Sequence, residues 1–290
     1  MTTVSRVVLI TGCGSGIGLA TAVEAARAGH VVYGGLRDLA SAPALASAAG
    51  ELPMTPLALD VTRAEERVAA VERVVRERGR LDVLVNNAGV AMGGFLEQLD
   101  EDELRYVLDV NLLGAWAMTR AALPHLRTAQ NGLVVFMSSM AGRSAMPGMG
   151  AYSTSKFGVE AMGEVFRHEL GLFGIRVVLV EPGAYRTDIF GRNRRLSRHA
   201  RDTTSPYAPY VARLDELVSR FADRFARHPA EVARLVVSLF EARRPRLRHP
   251  IGPDARVRSC LLRMAPFGLL ERLVGRLLRA PQGSRRPAGT

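Results

Sequence analysis

Apolar residues arrive along this chain in two rhythms. The runs RVVLIT (6–11), HVVYGGL (30–36), TPLALDV (55–61), LDVLVN (81–86), GLVVFMSS (132–139) and IRVVLVEPG (175–183) are β-branched and nearly unbroken in hydrophobicity. A strand with one wet face alternates apolar and polar positions, so an unbroken run marks a strand buried on both faces, as in a parallel sheet covered by helices. Between these runs, residues 17–29, 63–79, 100–126 and 152–174 place apolar side chains three and four apart, the spacing of an amphipathic helix. Farther on, 228–252 reads as a capped helix followed by a last strand. Regular alternation of strand and helix predicts an α/β fold: a doubly wound parallel sheet of about seven strands with helices on both faces.

Composition narrows this picture. The 290 residues suit one domain over 1–280, with a disordered tail expected at 281–290. No apolar run reaches the roughly 18 residues of a membrane-spanning helix, and the first residues lead straight into a strand rather than a cleavable signal. Cys13 and Cys260 have no metal-ligand spacing, so no metal site is expected, and a reducing cytoplasm fits better than a disulfide framework. The net charge of +11 is uneven: residues 1–190 hold 17 basic and 20 acidic side chains, residues 191–290 hold 22 and 8. The basic third lacks aromatic interleaving and any nucleic-acid motif, so no nucleic-acid partner is expected.

The chemistry begins at TGCGSGIG (11–18), between the first strand and the first helix. Gly12, Gly16 and Gly18 allow a tight turn and close approach of a pyrophosphate to the helix N-terminus. No Gly-Lys-Ser/Thr follows, which excludes a kinase-type phosphate loop. Lys156 is the only lysine among 39 basic residues, and it stands four residues after Tyr152. On a helix that spacing places both on one face. A free tyrosine titrates near pH ~10, a poor proton donor or acceptor at neutrality. An ammonium ~4 Å away at an effective dielectric of ~20 is worth about 4 kcal/mol, or roughly 3 pK units of depression. The expectation is therefore a phenol drawn down towards neutral pH.

Taken together, Thr-Gly-x-x-x-Gly-x-Gly (11–18), LDV (59–61), NNAG (86–89), Asn111, SS (138–139), YSTSK (152–156) and PGAYRT (182–187) stand in an order that resembles the classical short-chain dehydrogenases/reductases, from residue 6 to about 190. GLRD (35–38), the stretch 140–164 and the long C-terminus most resemble the branch that handles hydroxysteroids and retinoids. The resemblance implies a Rossmann-type fold and a nucleotide site lined by Gly12, Ser15, Gly16, Ile17, Gly18, Asp60, Val61, Asn87 and Gly89, with Asp60 at the adenine. It implies that Lys156 also grips the nicotinamide ribose, and that Pro182, Gly183 and Thr187 hold the carboxamide. Ser139, thirteen residues before Tyr152, corresponds to the serine that holds the substrate oxygen, with Ser138 as the alternative. Asn111 corresponds to a helix-borne asparagine holding a water in a proton relay; it also reads as a helix-interior amide bonded to backbone. The implied reaction moves a hydride between a nicotinamide and a carbonyl carbon while Tyr152 moves the proton. The helices at 100–126 and 152–174 would pair subunits into a homodimer or homotetramer.

At the end of the second strand, Leu36 occupies the place where NAD enzymes carry an acid, and Arg37 follows. A guanidinium suits a phosphate, so NADP(H) is expected over NAD(H). Against this, Cys13-Gly14-Ser15 offers no second basic residue, and Asp38 could bind the ribose. Residues 188–225 correspond to the family's variable substrate loop. Its arginines 192, 194, 195, 198 and 201 would either meet an acidic substrate or carrier protein or form a solvated lid. In 267–280, Leu269, Leu270, Leu273, Val274, Leu277 and Leu278 form an apolar stripe opposed by Arg272, Arg276 and Arg279, suited to packing on the protein or to peripheral membrane contact. The expected function is an NADP(H)-dependent interconversion of a secondary alcohol and a ketone on a small hydrophobic substrate, steroid-, retinoid- or polyketide-like. Its rivals are a carrier-bound 3-oxoacyl reductase and a non-catalytic nucleotide-sensing protein.

Overall fold

The computed structural model describes residues 4–129, 131–187, 195–264 and 267–278. Its main sheet contains β1 (Val7–Thr11), β2 (Val31–Leu36), β3 (Met54–Ala58), β4 (Val83–Asn86), β5 (Leu133–Met137), β6 (Arg176–Pro182) and β7 (Arg248–Ile251). All pairings are parallel, in the order β3-β2-β1-β4-β5-β6-β7. The helices are α1 (Gly16–Arg27), α2 (Ala42–Ala49), α3 (Ala64–Arg78), α4 (Glu101–Leu108), α5 (Gly114–Thr128), α6 (Gly150–Gly171), α7 (Ala208–Phe225), α8 (Ala230–Glu241), α9 (Pro253–Met264) and α10 (Phe267–Leu278).

The unbroken apolar runs have a direct structural cause. Val7 and Leu9 point into one core with Leu84, Phe136, Leu179 and residues of α3, α5 and α6. Val8 and Ile10, on the other face, pack with Val83, Val135, Val178 and residues of α1 and α8. Each strand side chain thus meets a helix whichever way it points. The chain winds outward from β1 to β3, then returns to β4 on the far side of β1. That reversal opens a crevice above the carboxyl ends of β1 and β4, where ligands bind in such sheets.

Several boundaries differ from the sequence reading. The helix expected over 100–126 is two helices joined by a π-helical turn, Asp109–Leu113. Helix α2, an alanine-rich segment with proline in its first turn, was not expected. The substrate loop expected to reach 225 ends earlier, because α7 occupies 208–225; its apolar residues fall on one face once the segment has a protein surface to lie on. Helix α9, rich in arginine, was also not expected. Helix α10 contacts α7, and Leu269 of its stripe is exposed. Residues 188–194, including Arg192 and Arg194, and the expected disordered tail lie outside the described residues.

Candidate active site

The glycine turn is a cradle closed by backbone. A Cβ on Gly18 would lie 2.2 Å from the Gly12 carbonyl oxygen and 2.4 Å from Asn87 Nδ2, and Gly12 itself has φ +72°. No side chain fits there. Asn87 Nδ2 donates to the carbonyls of Thr11 (2.9 Å) and Gly12 (3.0 Å), while the Thr11 hydroxyl accepts from the amides of Asn87 (3.0 Å) and Ala88 (2.9 Å). These bonds sew β1 to β4 across the crevice. Helix α1 begins at this turn with no acid in its first turn, so its positive end faces the crevice. The arrangement fits the pyrophosphate of a dinucleotide.

On the far side of β4, α6 brings Tyr152 and Lys156 to the same crevice, each only 4% exposed. The Tyr152 and Ser139 side chains are hydrogen-bonded, and Ser139 also accepts from the Ala141 amide at 3.1 Å. Ser138 is buried with its hydroxyl unpartnered, so the geometry favours Ser139 as the residue that faces Tyr152. Lys156 Nζ donates to the Met137 carbonyl (2.8 Å) and lies 5.7 Å from the centre of the Tyr152 ring.

The electrostatics correct the sequence expectation. Burial pushes the Tyr152 phenol up to about 12, opposed by its bond to Ser139. Burial pushes the Lys156 ammonium down to about 8, opposed by the charge of Glu160 one helical turn away. A depressed tyrosine requires that the ammonium's attraction dominate. In the folded protein both groups are deeply buried, and desolvation favours the neutral form of each.

The crevice is a single open cleft of about 730 Å³ lined by both halves of the site. Every residue expected at the nucleotide and every catalytic candidate except Asn111 borders it. Asn111 sits in the π-helical turn, 2% exposed. Its Oδ1 accepts from the Val90 amide (2.8 Å), and its Nδ2 donates to the Val90 carbonyl and to Ser155 Oγ, both at 2.9 Å. Its amide is therefore used in tying the segment after β4 to α6. Asp60 turns its carboxylate to Thr62, accepting from the amide (2.9 Å) and the hydroxyl (2.7 Å). Asp38 accepts from the Ala40 amide (2.8 Å), which spends one carboxylate oxygen on its own turn.

Several residues of the site went unread in the sequence, or, like Arg195, were expected to face substrate or solvent rather than the nucleotide cleft. Tyr106 and Arg195 line the cleft near Arg37. Asp254, at the start of α9, accepts from the Ala184 amide at 2.9 Å and fills the space beside Gly183, so the C-terminal segment braces the Pro182–Gly183 turn. Behind Lys156 lies a partly buried charge cluster. Glu181 is paired with Arg143 (3.1 Å) and Arg248 (3.3 Å), and Arg248 also reaches Glu160 (2.8 Å) and Glu164. Burial and the neighbouring Glu160 push the Glu181 carboxyl up to about 7. Glu160 alone carried a local signal, at four residues from Lys156; the others are joined by the fold.

The short chain dehydrogenase family model matches residues 6–197. The chain is 34% identical to the 3-ketodihydrosphingosine reductase of Bacteroides thetaiotaomicron, over 87% of this chain and 90% of that protein. It is 37% identical to the estradiol 17-beta-dehydrogenase 1 of Rattus norvegicus, over 84% of this chain and 73% of that one. The structure superposes on a short-chain dehydrogenase from Streptomyces avermitilis with a TM-score of 0.79 and 33% identity, covering 96% of each chain.

Proposed function

The chain belongs to the short-chain dehydrogenase family, and from that premise we propose that it is an NADP(H)-preferring oxidoreductase that interconverts a secondary alcohol and a ketone on an apolar, lipid-like substrate. The observation that carries this reading is the meeting of Ser139, Tyr152 and Lys156 at one end of a cleft whose other end is a glycine cradle. Two of the relatives act, by their names, on apolar molecules, a sphingoid ketone and a steroid. That supports the substrate class.

A bound nicotinamide would supply the hydride. Tyr152 supplies the proton: held up to about 12, its phenol is protonated at neutral pH and placed to donate to the developing alkoxide of a ketone. As the phenol gives up its proton, the Lys156 ammonium faces a growing negative charge, which stabilises the product state more than the starting one. The Ser139 hydroxyl, already beside that of Tyr152, would hold the substrate oxygen. Asn111 acts as a positioning residue, fixing Val90 against α6. Arg37, exposed and free of any ion pair with a described carboxylate, would meet the 2′-phosphate.

The carrier-bound reading loses one of its arginines: Arg198 is bound to Asp100 (2.7 Å) and Asp102. A nucleotide sensor would have no use for the complete Ser139, Tyr152 and Lys156 set. Among the described residues no helix is long and apolar enough to cross a membrane. The two free thiols, Cys13 and Cys260, accord with the proposed cytoplasmic setting. Exposed Leu113, Trp116 and Phe157 on the π-helical turn, α5 and α6 accord with a subunit contact through those elements, which sedimentation would read directly. The deciding experiment is titration with NADPH and NADH by nicotinamide fluorescence, followed by turnover of long-chain 3-ketones and 17-ketosteroids with the tighter cofactor. Saturable turnover is expected; absence of binding by both nucleotides would refute the reading.

A further inference from the structure

Two guanidiniums converge on one tyrosine at the rim of the cleft. Arg37 Nη1 donates to the Tyr106 hydroxyl at 3.2 Å, and the Arg195 guanidinium carbon stands 4.9 Å from the centre of the same ring. They come from distant segments: the end of β2, helix α4, and the residues that follow 188–194. All three line the cleft together with Asp60, Val61 and Thr62. Neither arginine pairs with a described carboxylate, whereas Arg105 and Arg198, on and beside α4, both do. Like charges gathered with no described carboxylate paired to either repel, and an anion seated between them would turn that repulsion into attraction from two sides.

The backbone of Arg195 is held in place. Arg195 and Leu196 pair in parallel with Met92 and Gly93, and the Ser197 amide donates to the Gly93 carbonyl at 2.8 Å. Next along, the Arg198 amide donates to Glu103 Oε1 (3.0 Å) and its guanidinium grips Asp100. Gln98 Nε2 donates to the His199 carbonyl (3.1 Å). The segment is thus stitched to α4, which carries Tyr106. Meanwhile the glycine turn, Cys13-Gly14-Ser15, contains no basic residue, and Cys13 is fully buried.

We propose that Arg195 is a specificity-determining residue for the cofactor: with Arg37 and Tyr106 it forms a two-sided subsite for the 2′-phosphate, and the cation that the glycine turn lacks comes from the substrate segment. This inference rests on the NADP(H) reading above. It makes cofactor choice depend on a residue about 160 positions from Arg37 in sequence, on the same stretch that borders the substrate region.

The test uses the full chain and the variants Arg195→Ala, Arg195→Lys and Arg37→Ala, each titrated with NADPH and with NADH, and with 2′,5′-ADP against 5′-ADP as competitors. Arg195→Ala is expected to weaken NADPH and 2′,5′-ADP roughly ten- to a hundred-fold, the range of a charge-assisted contact to phosphate, while NADH and 5′-ADP change by less than about two-fold. Retained NADH binding also shows that the variant is folded. Arg195→Lys should recover part of the loss, having the charge without the planar fork. Equal weakening of both cofactors, or none of either, would overturn the proposal. If Arg37→Ala abolishes the NADPH preference and Arg195→Ala leaves it intact, the cofactor reading stands and this one falls. If the unmodified protein binds NADH as tightly as NADPH, the cofactor reading fails and takes this one with it.

Discussion

The two ends of the cleft are built on opposite terms. At one end Tyr152 and Lys156 lie on a single helix, one turn apart, and both are 4% exposed. Their proton affinities are set by what the fold takes away, namely water: the phenol rises and the ammonium falls. At the other end Arg37, Tyr106 and Arg195 come from three separate segments, and both arginines face solvent. Reaction chemistry calls for groups near the point of changing charge, which burial supplies. Recognition of a phosphate calls for fixed charge in the right place, which the surface supplies at less desolvation cost.

The comparison breaks most easily at the buried end. Tyr152→Phe removes the proposed proton donor and is expected to lower kcat for ketone reduction by roughly 10²–10⁴, with little change in the Kd for NADPH. A variant that kept its turnover would show that the proton comes from elsewhere. Rate profiles sharpen the same point. Reduction is expected to decline above pH about 8 as Lys156 loses its proton. Removing the Glu160 charge takes away what holds that proton on, so in Glu160→Gln the alkaline limb moves to lower pH. An unmoved limb would detach Glu160 from Lys156.

A third measurement separates stability from activity. The folded Lys156 releases its proton near 8, well below the 10.5 of an exposed lysine, so the unfolded chain holds more protons between those values. The contribution of Lys156 to stability is therefore least favourable below pH 8 and recovers as pH rises towards 10.5. Lys156→Met, expected to lose turnover, is also expected to melt higher than the parent at pH 7 and to lose that advantage near pH 10. A constant difference across that range would place the lysine in a wetter site than the structure shows. At the exposed end the effects are smaller. Arg198→Ala breaks ion pairs that solvent screens, so a slight fall in melting temperature is expected, vanishing at high salt, with a modest weakening of NADPH as the anchorage of Arg195 loosens.

Sheet and glycine turn were legible because their causes are local. The alternate burial of Val7 to Ile10 on two faces writes itself as an unbroken apolar run, and Gly18 is required by atoms of its own turn and of Asn87, a neighbouring motif. Tyr152 and Lys156 were legible for the same reason, since helical spacing alone brings them together. By contrast, Asp254 braces Ala184 from seventy residues away, and Arg248 reaches Glu160 from the last strand; no spacing rule announces either. Helix α7 went unread because its pattern was taken for the loop that precedes it.

From the sequence alone came the sheet, its crevice, and the identity of the groups that meet there: a phosphate cradle, a hydroxyl pair, one lysine and one arginine. Only the tertiary structure decided in which direction the tyrosine and lysine shift, which serine faces the tyrosine, and which second arginine shares Tyr106 with the first. Motifs are contiguous, so the chain carries them openly. Desolvation and long-range pairing depend on how segments far apart in sequence close over one another, and those exist only once the chain has folded.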